Sequence, residues 1–282
     1  MRLGIQETSL GLQTPQDNWR LCKQAGVEGL NLCYPVPPDT DAFNSAEYTK
    51  QIANLSKRNK VAVSGMHLGF LSDMPFLVGD ADKCQVARNL IRRAIGVAAI
   101  LDAPVVILPL VGPNGIRTTQ HQESAVTYLR SLSDATHKSG VSIAVEGPMG
   151  YEQVRDLLTA IDRDNVKFCF DTADAAIEHH DSIGMIRNLG ADRIAQVHFR
   201  DVNLSTQPPD YSLRLGRGDV RFDAVMFALR SVMYDGWVIL ETPPGDSDGQ
   251  IVSLHVEDAR NILTAGLKDD STDRQSAGYA AS

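Results

Sequence analysis

The chain has 282 residues, 43% of them hydrophobic and 22% charged, which is enough material for one large core or two small ones. Its 35 acidic residues outnumber 27 basic ones, giving a net charge of −8. Such a surface repels phosphate backbones and argues against nucleic acid as a partner. No stretch approaches the roughly 18 apolar residues of a membrane helix, the opening MRLGIQETSL lacks the apolar core of a signal peptide, and Cys22, Cys33, Cys84 and Cys169 form no C-x-x-C pair. A cytoplasmic protein with no membrane contact and with buried, reduced thiols is expected.

In chain order, short apolar runs alternate with longer amphipathic patterns. Leu3–Gln6 reads as a strand, and a helix is predicted over Thr14–Ala25, with Thr14 as N-cap, Pro15 in the first turn and Gly26 past the end. Predicted strand Val27–Cys33 leads to a helix over Asn44–Lys60, Val61–His67 to Asp80–Leu101, and Pro104–Pro109 to Thr118–Ser139, closed by Gly140. Val141–Glu146 precedes a predicted helix at Tyr151–Ile161. Val166–Asp171 precedes Asp174–Leu189, closed by Gly190. Ile194–His198 precedes Phe222–Tyr234, and Trp237–Glu241 precedes a last helix at about Val252–Thr264. The runs are rich in Val and Ile and bounded by Gly, Asp or Pro, as buried parallel strands are.

Eight strands alternating with eight helices imply parallel pairing through right-handed crossovers. The predicted fold is α/β, a single-domain (β/α)8 TIM barrel over residues 1–266, for which about 250 residues is a typical size. The alternative, an open doubly wound sheet, loses ground because no Gly-x-Gly-x-x-Gly follows the first strand. The polar segment 267–282 is expected to be a disordered tail.

Active sites of such barrels form at the C-terminal ends of the strands. Polar residues at these ends are unevenly distributed: Glu146 closes strand five (AVEG), Asp171 strand six (FCFDT), His198 and Asp201 strand seven (QVHFRD), Glu241 strand eight (VILET), and His67 strand three (GMHLG). Taken singly, each has an ordinary use: Asp171 as a helix N-cap, His198 as a hydrogen-bonded core histidine. Together, three carboxylates and one imidazole on four neighbouring strands would crowd like charge into one mouth, and a divalent cation resolves that. Glu146, Asp171, His198 and Glu241 are therefore the candidate ligands for one ion of Mn, Mg, Co or Zn.

The same stretches resemble the xylose isomerase-like barrels of the sugar phosphate isomerase/epimerase superfamily. QVHFRDVN is similar to that family's His-x-x-Asp strand end, RLGRGDVRFDAVMFAL to its Gly-x-Gly before a helix, and YDGWVILET to the closing strand that delivers a Glu. VSIAVEG, VKFCFDTADA and GVAAILDAPVVI match further family segments, and the resemblance runs from about Met1 to Thr264. It implies a carbohydrate substrate, metal ligation by the quartet, and proton transfer by Glu146 and Glu241. It places His67 beside the substrate, Glu152 where some epimerases carry a substrate-contacting Glu, and Arg200 where Lys is usual, as a substrate neighbour or an ion pair beneath the rim. Asp201 belongs to the His-x-x-Asp element at the substrate end of strand seven. Arg214 and Arg217, in the long loop after Asp201, are candidates for a phosphate group.

Two departures touch the substrate pocket. Asp174 stands where many members have His, and Asn31 where many have Glu at the end of strand two. The apolar loop GMHLGFLSDMPFLVGD, with Phe70, Met74, Phe76 and Leu77, is expected either to wall the pocket or to form a homo-oligomer contact. Trp237 is expected to anchor the bottom of the barrel. The leading reading is a metal-dependent isomerase or epimerase of a small sugar, keto-sugar or sugar phosphate. The second is a lyase, a dehydratase of keto-inositol or 3-keto-glycoside type. An endonuclease-like hydrolase would need several zinc ions and a richer set of histidines at strand ends; of the seven histidines here, His179 and His180 fall within a predicted helix. A non-catalytic sugar-binding barrel completes the set.

Overall fold

Branched apolar runs become strands because both faces of a barrel strand are covered, one by the axis and one by a helix. The computed structural model describes residues 1–11, 14–34, 42–246 and 248–265. Its strands are β1 (Arg2–Gln6), β2 (Gly29–Cys33), β3 (Ala62–His67), β4 (Val105–Pro109), β5 (Ser142–Glu146), β6 (Val166–Asp171), β7 (Ile194–Phe199) and β8 (Trp237–Leu240). They pair in sequence order, all parallel, and β8 returns to β1 to close the barrel. The expected TIM-barrel architecture is what forms. The expectation for 267–282 lies outside the described residues.

Helices α1 (Pro15–Ala25), α2 (Ala46–Asn59), α3 (Ala81–Ile100), α4 (Thr119–Thr136), α5 (Tyr151–Ile161), α6 (Thr172–Ile177), α7 (Ser182–Leu189), α8 (Phe222–Ser231) and α9 (Gln250–Thr264) surround it. Side-chain caps at Thr14, Ser45, Asp80 and Thr118 start four of them, each accepting a backbone N–H three residues on. One predicted helix is corrected. Asp174–Leu189 is two helices, because His179 adopts a left-handed φ of 53° and Asp181 caps a new helix by accepting Gly184 N–H at 3.0 Å. His179 and His180 thus lie in a turn. Among the described residues no helix is long and apolar enough to cross a membrane.

Two register shifts shape the interior. Leu30 pairs with Val63 but Asn31 with Gly65, leaving Ser64 as an extra residue in β3. Phe168 pairs with Ile194 but Cys169 with Gln196, leaving Ala195 extra in β7. Such bulges turn backbone and side-chain groups out of their regular directions. Asn31 lies two residues before the end of β2 and is fully buried, so it belongs to the barrel interior and not to the rim where the sequence placed it.

At the bottom, Trp237 is buried with the Arg2 guanidinium 4.2 Å from its ring centroid, as a core anchor should be. Gly29 makes room for it: a Cβ there would sit 2.7 Å from the indole and 2.9 Å from Ser64 Cβ. Gly29→Ala is expected to cost about 1–3 kcal/mol through overpacking, read as a lower urea midpoint at unchanged m-value. An unchanged midpoint would show that the barrel floor yields.

The apolar loop after β3 turns inward. Phe70, Leu71, Phe76 and Leu77 are buried, and the Phe76 ring lies tilted against Tyr128, centroids 5.6 Å apart. Asn114 ties the loop down, accepting Phe76 N–H at 2.8 Å and donating to Leu71 O and Met74 O. These residues pack within their own chain, while Met74 of the same loop is partly exposed.

Candidate metal centre

Parallel strands deliver their C-terminal residues to one rim. Glu146 and Asp171 are the last residues of β5 and β6, His198 is next to last in β7, and Glu241 directly follows β8, still tied to neighbouring β7 through its N–H to Phe199 O at 3.0 Å. One ligand atom from each of the four lies within 4.8 Å of the others. His198 Nδ1 stands 2.8 Å from Glu146 Oε1 and 3.0 Å from Glu241 Oε2. Asp171 caps α6, Oδ1 accepting the N–H groups of Ala173 and Asp174 at 2.7 and 2.8 Å, while Oδ2 faces Arg200 at 3.8 Å.

The electrostatics show an excess of negative charge. Burial would raise the Glu146 carboxyl, but His198 and His67 hold it well below the usual carboxylate range. Glu241 is lowered in the same way, burial being outweighed by the His198 hydrogen bond. Asp171 goes the other way: burial first, then Asp174, Glu241 and Glu146, push it well up. Asp174 is raised to about 7 by burial and then Glu146. His198, despite burial, is held well above its ordinary value by Cys169 and Glu146. Buried carboxylates that push one another's proton affinity up and hold an imidazole's up as well form a cluster whose charge a divalent cation would offset, and hard oxygen donors with one imidazole suit Mn, Mg, Co or Zn.

Of the other sequence candidates, two adjoin the quartet directly. His67 Nε2 is 2.9 Å from Glu146 Oε2. Arg200 reaches both Asp171 and Glu241, the latter at 3.5 Å, and stacks 4.0 Å from the Tyr211 ring centroid, which agrees with an ion pair beneath the rim. Asp174 is half-buried in the first turn of α6. The Asp201 carboxylate accepts four backbone N–H groups, from Val202, Arg217, Gly218 and Val220, so its acceptor capacity is taken by the loop. Glu152 is exposed in the first turn of α5 and Arg217 is exposed in the loop. Arg214 gives its Nε and Nη2 donors to the two Asp258 oxygens at 2.7 and 2.8 Å, so one edge of its guanidinium is taken by a carboxylate.

Two features escaped the sequence reading. Glu7 follows β1 and accepts Cys33 N–H and Asn18 Nδ2–H, both at 3.0 Å. Burial raises its carboxyl, and with Asn18, Cys33 and Tyr48 it lines a cleft of roughly 630 Å³. Reading the end of strand one by the rule applied to strands five to eight would have found it. The second is Gln196, whose inward direction depends on the Ala195 bulge, which leaves no mark in the sequence.

The xylose isomerase-like TIM barrel family model matches residues 19–265. Inosose dehydratase of Lacticaseibacillus casei is 27% identical over 143 residues, 44% of this chain and 48% of that protein; the match spans about half the length of the curated relative. Among solved structures, L-ribulose 3-epimerase superposes with a TM-score of 0.77 at 18% identity over 100% of this chain and 99% of that one. The IolI protein with a bound zinc atom superposes at 0.74 and 18% identity, over 94% and 99%. With a family model spanning nearly the whole barrel, the chain belongs to the xylose isomerase-like TIM barrel family.

Proposed function

We propose that the protein is a divalent-metal-dependent isomerase or epimerase of a small sugar, keto-sugar or sugar phosphate, with Glu146 and Glu241 moving the proton. The observation that carries this reading is the placement of these two carboxylates on either side of His198 Nδ1, at 2.8 and 3.0 Å, within a cluster of four ligand atoms spanning 4.8 Å. Glu146, Asp171, His198 and Glu241 would hold the cation, which would supply a Lewis acid for a carbonyl and its neighbouring hydroxyl. Glu146 or Glu241 would then remove the proton of the adjacent C–H as general base. Return of a proton to the opposite face inverts the centre; return to the other carbon moves the carbonyl.

The surrounding side chains suit that task. His67, hydrogen-bonded to Glu146 Oε2, orients one carboxylate, and Arg200, beside Glu241 Oε1, the other. The epimerase and zinc-bearing neighbours in the family's fold support the reading. The inosose dehydratase match favours a second, a lyase using the same carboxylates to expel a β-hydroxyl.

One experiment separates them. The manganese-loaded protein is incubated in D2O with a panel of ketoses, their phosphates and keto-inositols. An epimerase or isomerase yields a product of unchanged formula carrying solvent deuterium; a lyase yields an unsaturated product short of one water. No product and no deuterium exchange from any member would contradict both.

The pH dependence of metal binding follows from His198. Despite burial, Cys169 and Glu146 hold its pKa well above the ordinary value, which favours the protonated imidazole in the metal-free protein, and a metal bound through Nδ1 would displace a proton. Apparent affinity is therefore expected to rise with pH up to the His198 pKa and level off above it. Calorimetric zinc titration in two buffers of different ionisation enthalpy, at pH 6 to 8, should reveal proton release. Affinity independent of pH with no proton released would contradict this.

A further inference from the structure

Beneath the four candidate ligands lies a small polar group that barrel packing does not require: Asn31 on β2, Ser64 on β3 and Gln196 on β7, all with no exposure to solvent. Gln196 Nε2 donates to Ser64 O at 3.0 Å. Ser64 O is a backbone carbonyl and can only accept, so this bond fixes which end of the amide is which. Gln196 Oε1 must then face the other way, where it meets Asn31 Nδ2 at 2.5 Å and His198 Nε2 at 3.2 Å. Asn31 donates to this oxygen, and a second lone pair remains for the imidazole. His198 Nε2 can satisfy that contact only by carrying the proton. Its other nitrogen, Nδ1, is the one that points at Glu146 and Glu241.

Both bulges of the barrel serve this arrangement. Ser64 is the residue extra to the β2–β3 ladder, so its carbonyl is available to a side chain across the axis. Ala195 is the residue extra to the β6–β7 ladder, immediately before Gln196.

We propose that Gln196 is a positioning residue which, fixed by Ser64 O and Asn31, holds His198 with its proton on Nε2 and so presents Nδ1 as the metal-binding nitrogen. The proposal rests on the metal-centre reading above. It assigns no contact between Gln196 and substrate.

The test uses zinc, two variants and two readouts. Gln196→Met keeps the shape and removes the amide. Gln196→Glu, entering as the neutral acid, can donate its OH to Ser64 O and accept from Asn31 and His198 through its carbonyl. Gln196→Met is expected to bind zinc about 10–100-fold more weakly by calorimetry, while Gln196→Glu stays within about threefold of the parent, since it keeps all three hydrogen bonds. In the zinc-loaded parent, 15N-histidine NMR should show His198 protonated at Nε2 and metal-bound at Nδ1; in Gln196→Met the Nε2 proton signal should weaken or exchange. Equal zinc affinity in Gln196→Met and parent would overturn the proposal, as would equal loss in both variants, which marks a packing role. His198 bound through Nε2 would also overturn it. A parent that binds no zinc would remove the metal-centre reading itself, and this proposal with it.

Discussion

Glu146→Gln is expected to lower turnover by about 10³–10⁴-fold, the upper range for loss of a general acid–base group. The substitution is nearly isosteric and leaves β5 unchanged, so the effect is chemical. Glu146 Oε1 and Oε2 face His198 and His67 at 2.8 and 2.9 Å. An amide there offers no base, puts an N–H against one imidazole and removes one negative charge from the metal cluster. Metal affinity should therefore fall alongside turnover, and excess metal should restore occupancy without restoring rate. Steady-state assays at saturating manganese check this, using whichever substrate the ketose screen returns. A variant within tenfold of the parent at full occupancy would remove Glu146 from the proton path.

Asp201→Ala is expected to destabilise the fold by about 3–5 kcal/mol, since each buried N–H left without a partner costs about 1–3 kcal/mol and the loop can relax only in part. Asp201 is 2% exposed, and its two oxygens accept N–H groups from Val202, Val220, Arg217 and Gly218. It closes the long loop between β7 and α8 back on itself. Neighbouring Arg217 is exposed, and Arg217→Ala should shift stability by no more than about 0.5 kcal/mol. Urea unfolding of the two variants side by side separates these roles. A loss below about 1 kcal/mol for Asp201→Ala would mean that the loop finds other acceptors.

The barrel was legible because its signal is repetitive. Val166–Asp171 and Tyr151–Ile161 were readable to the residue, since branched runs and an amphipathic stripe each leave a clear period. The gathering of Glu146, Asp171, His198 and Glu241 followed from the same logic, because parallel strands bring their ends to one rim. What stayed hidden depends on register and on loop closure. Asn31 seemed to end its strand, yet the Ser64 bulge and two further residues bury it. Asp201 sits at a strand end like the others, but Arg217 and Gly218, sixteen and seventeen residues later, return to claim its carboxylate. The apolar loop after β3 read as a pocket wall or a subunit contact, because nothing local shows that Asn114 ties it down.

The central claim is that the four strand-end side chains hold a metal ion, and the most direct test is metal content by mass spectrometry. The parent is compared with Asp171→Asn, which keeps an N-cap for α6 while losing a charged ligand, and with His198→Ala. About one Mn, Co, Zn or Mg per chain in the parent, lost in both variants at parent-like secondary structure, is the predicted result. A parent that takes up no metal after soaking, with its melting temperature unmoved by added manganese or zinc, would contradict the account.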